Sequence, residues 1–502
     1  NLPPTLTAGQ RHAATALLES QDFASVLVGD AGTGKTTVLT AIENAHLVAT
    51  GAPFVPLAPT TKARDALAES GFAAADTVQR FLASETLQAE ATRRVILVDE
   101  AGLLSTQQLA QLTQIAQNIR ARLLLVGDTK QHYSVERGDA LRNVVDHSRI
   151  PVVRLAEVLR QRNEADRRFS RLLATGDAPA AFAFAEERGL IVDTANDNEL
   201  YARAAAHFVD NTAKGIATLV VVPFWEEIER YNATVRPALR AAGRLGEVEL
   251  VRTAVKPLSW TAEQKVHWHE YQVGDRLLFS RDTRFFRRGT AAEVIAVRSD
   301  GVIARGANGR EAKLGLKQST TFDVGRLESL PVAVGDKLLI RGRDDDAGFT
   351  NGDIKEVAHV DPTADVIRFT DGQELPRNFA AWTYGHAITS YRSQGSTSEE
   401  SILVLGEVAA RALARRQFYV GNTRYRGAHA IYVADKEAII GRLTRPDVGR
   451  ELATEFLQRH HISERLIPRA LRNRSPRQQA AWLAAQNQQR QYQQRHGEQR
   501  TV

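Results

Sequence analysis

The chain has 502 residues, enough for about three or four domains, with 43% apolar and 25% charged residues in ordinary globular proportion. It contains no cysteine, which excludes a disulfide framework, a thiolate metal site and a cysteine nucleophile, and, unusually for this length, no methionine. A net charge of +6 and a pI near 9.5 allow a polyanionic partner without establishing one. No signal-like apolar core follows Asn1 and no run of 18 apolar residues occurs, so a cytoplasmic protein without a membrane segment is expected.

Leu6-Thr7-Ala8-Gly9-Gln10 opens a helix, with Thr7 placed to cap it. Val26, Leu27 and Val28 then fit a buried strand. Gly29, Asp30, Ala31, Gly32, Thr33, Gly34, Lys35 and Thr36 match G-x-x-x-x-G-K-[ST], and Thr37 leads into a helical stretch from Val38 to Ala45. Glycines let backbone N–H groups wrap phosphate oxygens, and the helix N-terminus adds a positive field. Gly29, Gly32, Thr33, Gly34, Lys35, Thr36 and Thr37 are therefore the expected nucleotide loop, with Lys35 on the β/γ-phosphates and Thr36 on Mg²⁺.

Up to about residue 145 strands alternate with helices, the pattern of a parallel α/β sheet. Phe54 to Ala58 ends in Pro59-Thr60-Thr61-Lys62, Val95 to Val98 in Asp99-Glu100, and Leu123 to Val126 in Gly127-Asp128-Thr129-Lys130-Gln131. Ligands sit at the carboxyl ends of such strands, so these polar clusters should meet in one crevice. Asp99 is placed to hold Mg²⁺ through water, Glu100 to activate the attacking water, and Gln131 to sense the γ-phosphate or that water.

The second half carries other blocks. Leu155 to Arg162 (LAEVLRQR) reads as helical, and Leu219 to Pro223 as a strand leading into Phe224 and Trp225. Thr389, Tyr391 and Gly395 lie in ITSYRSQGS, and FYVGNTR ends on Arg424. Between about 265 and 380 the period shortens to β-segments and an internal repeat emerges. Val273-Gly274-Asp275 is echoed by Val334-Gly335-Asp336, Glu293-Val294 by Glu356-Val357, and Asn308-Gly309 by the second hairpin dipeptide, Asp371-Gly372. The period of about 60 residues is that of a small SH3-like barrel. From Arg465 the chain is Gln/Arg-rich and reads as a solvated tail or linker.

With these blocks in this order, the chain resembles the superfamily 1 DNA helicases of the RecD-like, 5′→3′ branch (superfamily 1B). More narrowly it resembles the helicase region of TraI/TrwC-type conjugative relaxases. LTAGQ, GDAGTGKT, DEAG, GDTKQ, LRQ, ITSYRSQGS and YVGNTR carry the resemblance, from about Leu6 to about Arg424. It implies an α/β fold of two RecA-like P-loop domains with an inserted, tandem SH3-like β-barrel region. The expected division is 1–145 and 146–264 for the first domain and the first part of the second, 265–380 for the insert, 381–460 for the rest of the second domain, and 461–502 for the tail.

The resemblance also implies an ATP-dependent helicase on single-stranded DNA, with ATP and Mg²⁺, and other conjugation or DNA-processing proteins as partners. Gln10 would read the adenine base, Gly395 would join the nucleotide site, and Arg160 and Arg424 from the second domain would reach the γ-phosphate. Pro59, Thr60, Lys62, Phe224, Trp225, Thr389 and Tyr391 would meet DNA. Two positions depart from the family pattern: Tyr391 stands where histidine is usual, and Gly421-Asn422-Thr423 replaces ALS before Arg424. The family's relaxase nuclease motifs are not seen, so the chain reads as a helicase piece of a larger protein or a stand-alone relative. A RecD-like repair helicase and an ATPase-inactive DNA-binding module remain alternatives.

Overall fold

The computed structural model describes residues 2–134, 138–258, 260–344 and 346–445; the Gln/Arg-rich stretch expected as a tail lies outside the described residues. Six strands, β1 (Ala24–Gly29), β2 (Val55–Ala58), β3 (Asp76–Thr77), β4 (Val95–Val98), β5 (Arg122–Gly127) and β6 (Val152–Leu155), form a parallel sheet in the order β3-β2-β4-β5-β1-β6. Both faces are covered, so the central strands are apolar without alternation. Val26, Val28, Leu123 and Leu125 enter one core, while Leu27, Leu124 and Val126 enter the core on the opposite face.

Two sequence expectations change here. β3 and β6 join the four strands read from the sequence; β3 is two residues long, and β6 carries an exposed Arg154. Leu155 to Arg162 is not helical: Leu155 ends β6 and the rest is an irregular loop. The backbone amides of Leu159 and Arg160 donate to the Gly32 carbonyl (2.7 and 3.1 Å) instead of to carbonyls one turn back. The segment is held by the glycine loop.

β7 (Ile191–Asp193) and β8 (Thr218–Val221) begin a second sheet, and the chain then leaves it for ten antiparallel strands. These are β9 (Glu249–Pro257), β10 (Arg276–Phe279), β11 (Ala291–Arg298), β12 (Gly301–Gly306), β13 (Glu311–Gly315), β14 (Phe322–Ala333), β15 (Lys337–Ile340), β16 (Ile354–Asp361), β17 (Val366–Phe369) and β18 (Trp382–Tyr384). β19 (Ser398–Leu405) and β20 (Tyr425–Val433) complete the second sheet in the order β7-β20-β19-β8, again parallel. Its two faces also have separate cores, one around Val221, Leu403 and Ile431, the other around Val220, Ile402 and Val404. Two parallel sheets with helices on both faces give the RecA-like α/β architecture.

The repeat in the insert has a structural basis. Gly274 (φ 98°) and Gly335 (φ 89°) turn the chain, and the buried Asp275 and Asp336 each accept a backbone amide three residues back, from Gln272 and Ala333, at 2.8 Å. Gly274 then donates to the Val294 carbonyl and Gly335 to that of Val357. The expected barrels are not closed, however. The strands pair in linear orders, β13-β12-β11-β10-β14-β9 and β17-β16-β15-β18, whereas a barrel requires its first and last strands to pair. The long β9/β14 ribbon instead runs on from the first sheet, and its Val255 and Val332 cover the second core beside Leu338, Phe369 and Trp382. Among the described residues no helix is long and apolar enough to cross a membrane.

Candidate active site

β1 ends at Gly29, and the Lys35–Thr50 helix begins six residues later. Gly32 (φ 83°) and Gly34 (φ 76°) adopt the left-handed backbone that glycine takes without strain. Space demands glycine as well. A Cβ on Gly32 would lie 2.5 Å from Arg160 Cβ, and one on Gly34 would strike the Gln10 amide. Gln10 is buried; its Oε1 accepts from the Thr7 amide in a capping box, and its Nε2 donates to the Thr33 carbonyl. Lys35 Nζ donates to the carbonyls of Gly29 (2.7 Å) and Asp30 (3.3 Å). Thr36 and Thr37 are exposed on the first helical turn.

The acids stand opposite, at the end of β4. Glu100 has φ 51° and ψ 37°, a conformation costing a non-glycine residue about 1–3 kcal/mol and typical of functional sites. Its Oε2 accepts from Gln394 Nε2 at 3.0 Å, a contact reaching across from the second sheet's unit. Burial, then the neighbouring Glu100 charge, raises the pKa of Asp99 to about 6. Gln131 is buried; its Nε2 donates to Asp128 Oδ2, and its Oε1 has no donor among the described residues.

Arg160 leaves the edge of the first sheet, behind β6, rather than the second sheet, and its Nη1 donates to the Thr423 carbonyl at 2.7 Å. Arg424 is fully buried, donating to the Val420 carbonyl (2.8 Å), Thr423 Oγ1 (2.7 Å) and the Ser393 carbonyl (3.5 Å). Among the described residues neither guanidinium has a carboxylate within ion-pair distance. Burial, then the Arg424 charge, pushes the pKa of Arg160 down to about 9, and burial lowers that of Arg424. Two unneutralised cations at low dielectric create a field that a multivalent anion relieves.

The residues expected to meet DNA, Pro59 excepted, lie on the same opening. Thr60 and Thr389 each cap a short helix, accepting from Ala63 and Arg392 amides at 3.2 Å, which leaves each hydroxyl a proton to donate. The Tyr391 ring lies 5.0 Å from that of His132. Lys62 is exposed as a residue, yet its ammonium tucks against the Arg392 carbonyl and Ser396 Oγ. That desolvation, with the charges of Arg392 and Arg424, lowers its pKa to about 8. Phe224 and Trp225 are half-buried; each packs on a core of the second sheet and still reaches the opening. Gly395 (φ 78°) is an exposed turn.

One cleft of about 1320 Å³ is lined by every one of these candidates except Gly29 and Pro59. It exceeds the roughly 300–1,000 Å³ of a drug-sized pocket, so a nucleotide leaves space over. Four contributors were not singled out from sequence. Gln394 holds Glu100, and Arg416 donates to the Gln131 carbonyl and Asp139. The His132 ring packs at a tilt against Tyr391, with its pKa driven to about 3 by burial. Tyr419 Oη accepts from the Ala31 amide (2.9 Å) and donates to Asp128 (2.8 Å), tying the glycine loop to the second sheet's unit. Gln394 and Tyr419 lie inside recognised blocks; no local signal distinguished them from their neighbours.

Residues 5–196 match the family model described as an AAA domain. The conjugal transfer protein TraA of Rhizobium radiobacter is 26% identical over 414 residues, 81% of this chain and 31% of that protein. The RecBCD enzyme subunit RecD of Mycobacterium tuberculosis is 36% identical over 172 residues, 28% of this chain and 29% of that protein. Bacteroides Pif1 bound to ssDNA superposes with a TM-score of 0.42 and 15% identity, over 87% of this chain and 94% of that one. The chain thus spans less than a third of the conjugal transfer protein it matches. In motif order and in these sequence matches, the chain resembles the superfamily 1B, RecD-like helicases and the helicase region of TraI-type conjugative relaxases.

Proposed function

We propose that this chain is an ATP-driven motor that travels 5′→3′ on single-stranded DNA and separates duplexes, as the helicase part of a conjugative relaxase. One observation carries the reading: a single cleft gathers the glycine loop, Asp99 and Glu100 on one wall and the unneutralised Arg424 on the other, with Arg160 at the joint. The motor units are the two parallel sheets, and the insert runs from β9 to β18. Gln10 reads the base beside Thr33. Lys35 exchanges the carbonyls of Gly29 and Asp30 for phosphate oxygens. Glu100 orients the water with Gln131, whose free Oε1 accepts from it. Arg160 and Arg424 neutralise the γ-phosphate, so the cleft closes with triphosphate and relaxes after hydrolysis.

The donor set fits a hard cation. The Thr36 hydroxyl and Asp99 carboxylate would hold Mg²⁺, which supplies charge neutralisation at the phosphates. Thr60, Lys62, Thr389 and Tyr391 grip the strand through phosphates and ring stacking, so sequence preference is weak.

The test is DNA-stimulated ATP hydrolysis together with unwinding of tailed duplexes. Wild-type protein should open a duplex with a 5′ tail and leave one with a 3′ tail, and Lys35→Ala should abolish both activities. Wild-type turnover in that variant would overturn the glycine-loop assignment; preference for the 3′ tail would overturn the polarity. The match to RecD favours, as a second reading, a repair helicase with the same motor.

A further inference from the structure

Two arginines outside the proposed catalytic set have no carboxylate within ion-pair distance among the described residues. Arg341 follows β15 in the insert, and Arg392 lies in the short Ser390–Ser393 helix on the cleft wall. The Arg341 guanidinium lies 4.5 Å above the ring of Trp225, itself part of the cleft. Arg392 packs against Gly352, where a Cβ would strike its guanidinium. The Gly352 amide donates to the Ile340 carbonyl at 2.7 Å, so Arg392, packed on Gly352, stands beside Arg341; burial lowers both pKa values, and for Arg392 the Arg341 charge lowers it further.

The acids near them are engaged elsewhere. Asp323 pairs with Lys265 and Glu229 with Lys256, while Asp353 accepts the Thr350 amide. Among the described residues neither side chain makes an ion pair or a hydrogen bond. Lys62 extends the row, since its ammonium is bound to the Arg392 carbonyl and feels the Arg392 charge. Three neighbouring cations therefore come from the first sheet's unit, the second sheet's unit and the insert. A row that starts in the cleft and leaves it at Arg341 fits a polymer of phosphates better than a free anion. Planar guanidinium groups suit phosphate geometry.

We infer that Arg341 and Arg392 form a phosphate-binding step that receives a nucleic-acid strand where it passes from the cleft onto the insert. This rests on the helicase reading and adds the insert to the strand's path. Trp225, with one face covered by Arg341, holds that guanidinium in place.

The experiment is fluorescence anisotropy of a labelled oligothymidylate over a potassium chloride series, with wild type, Arg341→Gln, Arg392→Gln and Arg341→Lys. Each glutamine variant should bind about 10-fold more weakly at low salt. Each should also flatten the log–log salt slope by about 0.7, the value of one single-strand phosphate contact. Arg341→Lys should restore most of the slope, and a fluorescent ADP analogue should bind all variants alike. If Arg341→Gln fails to fold, Arg392→Gln carries the same expectation. Wild-type binding with unchanged affinity and slope in the glutamine variants overturns the site alone. Weakened ADP binding with unchanged oligonucleotide binding also overturns it, by moving the pair to the nucleotide. A wild-type protein that binds no oligonucleotide overturns the helicase reading and this site with it.

Discussion

Among the described residues Arg424 is held by two carbonyls and a hydroxyl and has no ion pair, so its charge is available to whatever anion enters the cleft. Arg424→Ala should lower kcat for ATP by about 10³-fold, as loss of an arginine finger does, with nucleotide affinity little changed. Steady-state ATPase assays alongside nucleotide titrations separate the two; a loss confined to KM would make Arg424 a binding residue. Lys62 allows a pH test. With a pKa near 8 it is mostly cationic at pH 7 and mostly neutral at pH 9, so its attraction for phosphate fades as pH rises through 8. Affinity for single-stranded DNA should fall over that interval in wild type and hold steady in Lys62→Arg. A parallel fall in both proteins would assign the pH dependence to another group.

At the scale of elements, the two copies of the Val-Gly-Asp turn separate a cap from a network. Asp275 accepts one backbone amide, and the nearest cation, on Arg326, is 3.9 Å away. Asp336 accepts the Ala333 amide, binds Arg236 through both oxygens and lies 3.4 Å from His386. Arg236 belongs to the Trp225–Ala241 helix, so Asp336 also fastens the insert to the second sheet. Asp336→Ala leaves the largely buried Arg236 guanidinium with Glu249 as its remaining carboxylate and should cost about 3 kcal/mol. Asp275→Ala should cost about 1–2 kcal/mol, the loss of a single buried hydrogen bond. Chemical denaturation of both variants measures the difference, and equal losses would refute a fastening role. The repeat was legible because glycine with positive φ and an aspartate three residues from the amide that donates to it leave a mark in sequence. Leu155 to Arg162 misled because its period is helical while the amides of Leu159 and Arg160 are claimed by Gly32, far earlier in the chain.

At the scale of the molecule, Tyr419 connects the halves, with the Ala31 amide on one side of its hydroxyl and Asp128 on the other. Tyr419→Phe keeps the ring and removes both bonds. Stability should drop by only about 1 kcal/mol, but kcat should fall by about 10- to 100-fold because Gln131, on the same Asp128, loses its alignment. Unchanged turnover beside a lowered melting temperature would leave Tyr419 a purely structural residue.

The sequence by itself determined the chemistry of each wall. The glycine loop, the apolar strand ending in Asp99-Glu100 and the cap at Thr7 are local patterns, written in neighbouring residues because phosphate cradles, buried strands and helix caps are local structures. Only the tertiary structure decided what faces what. Arg160 proved to leave the first sheet, Gln394 to hold Glu100, the insert to form open sheets rather than barrels, and Arg341 and Arg392 to share a surface. Those are contacts between residues far apart in the chain. They follow from how two separately cored sheets and an insert bury their faces together, and no short stretch of sequence records that packing.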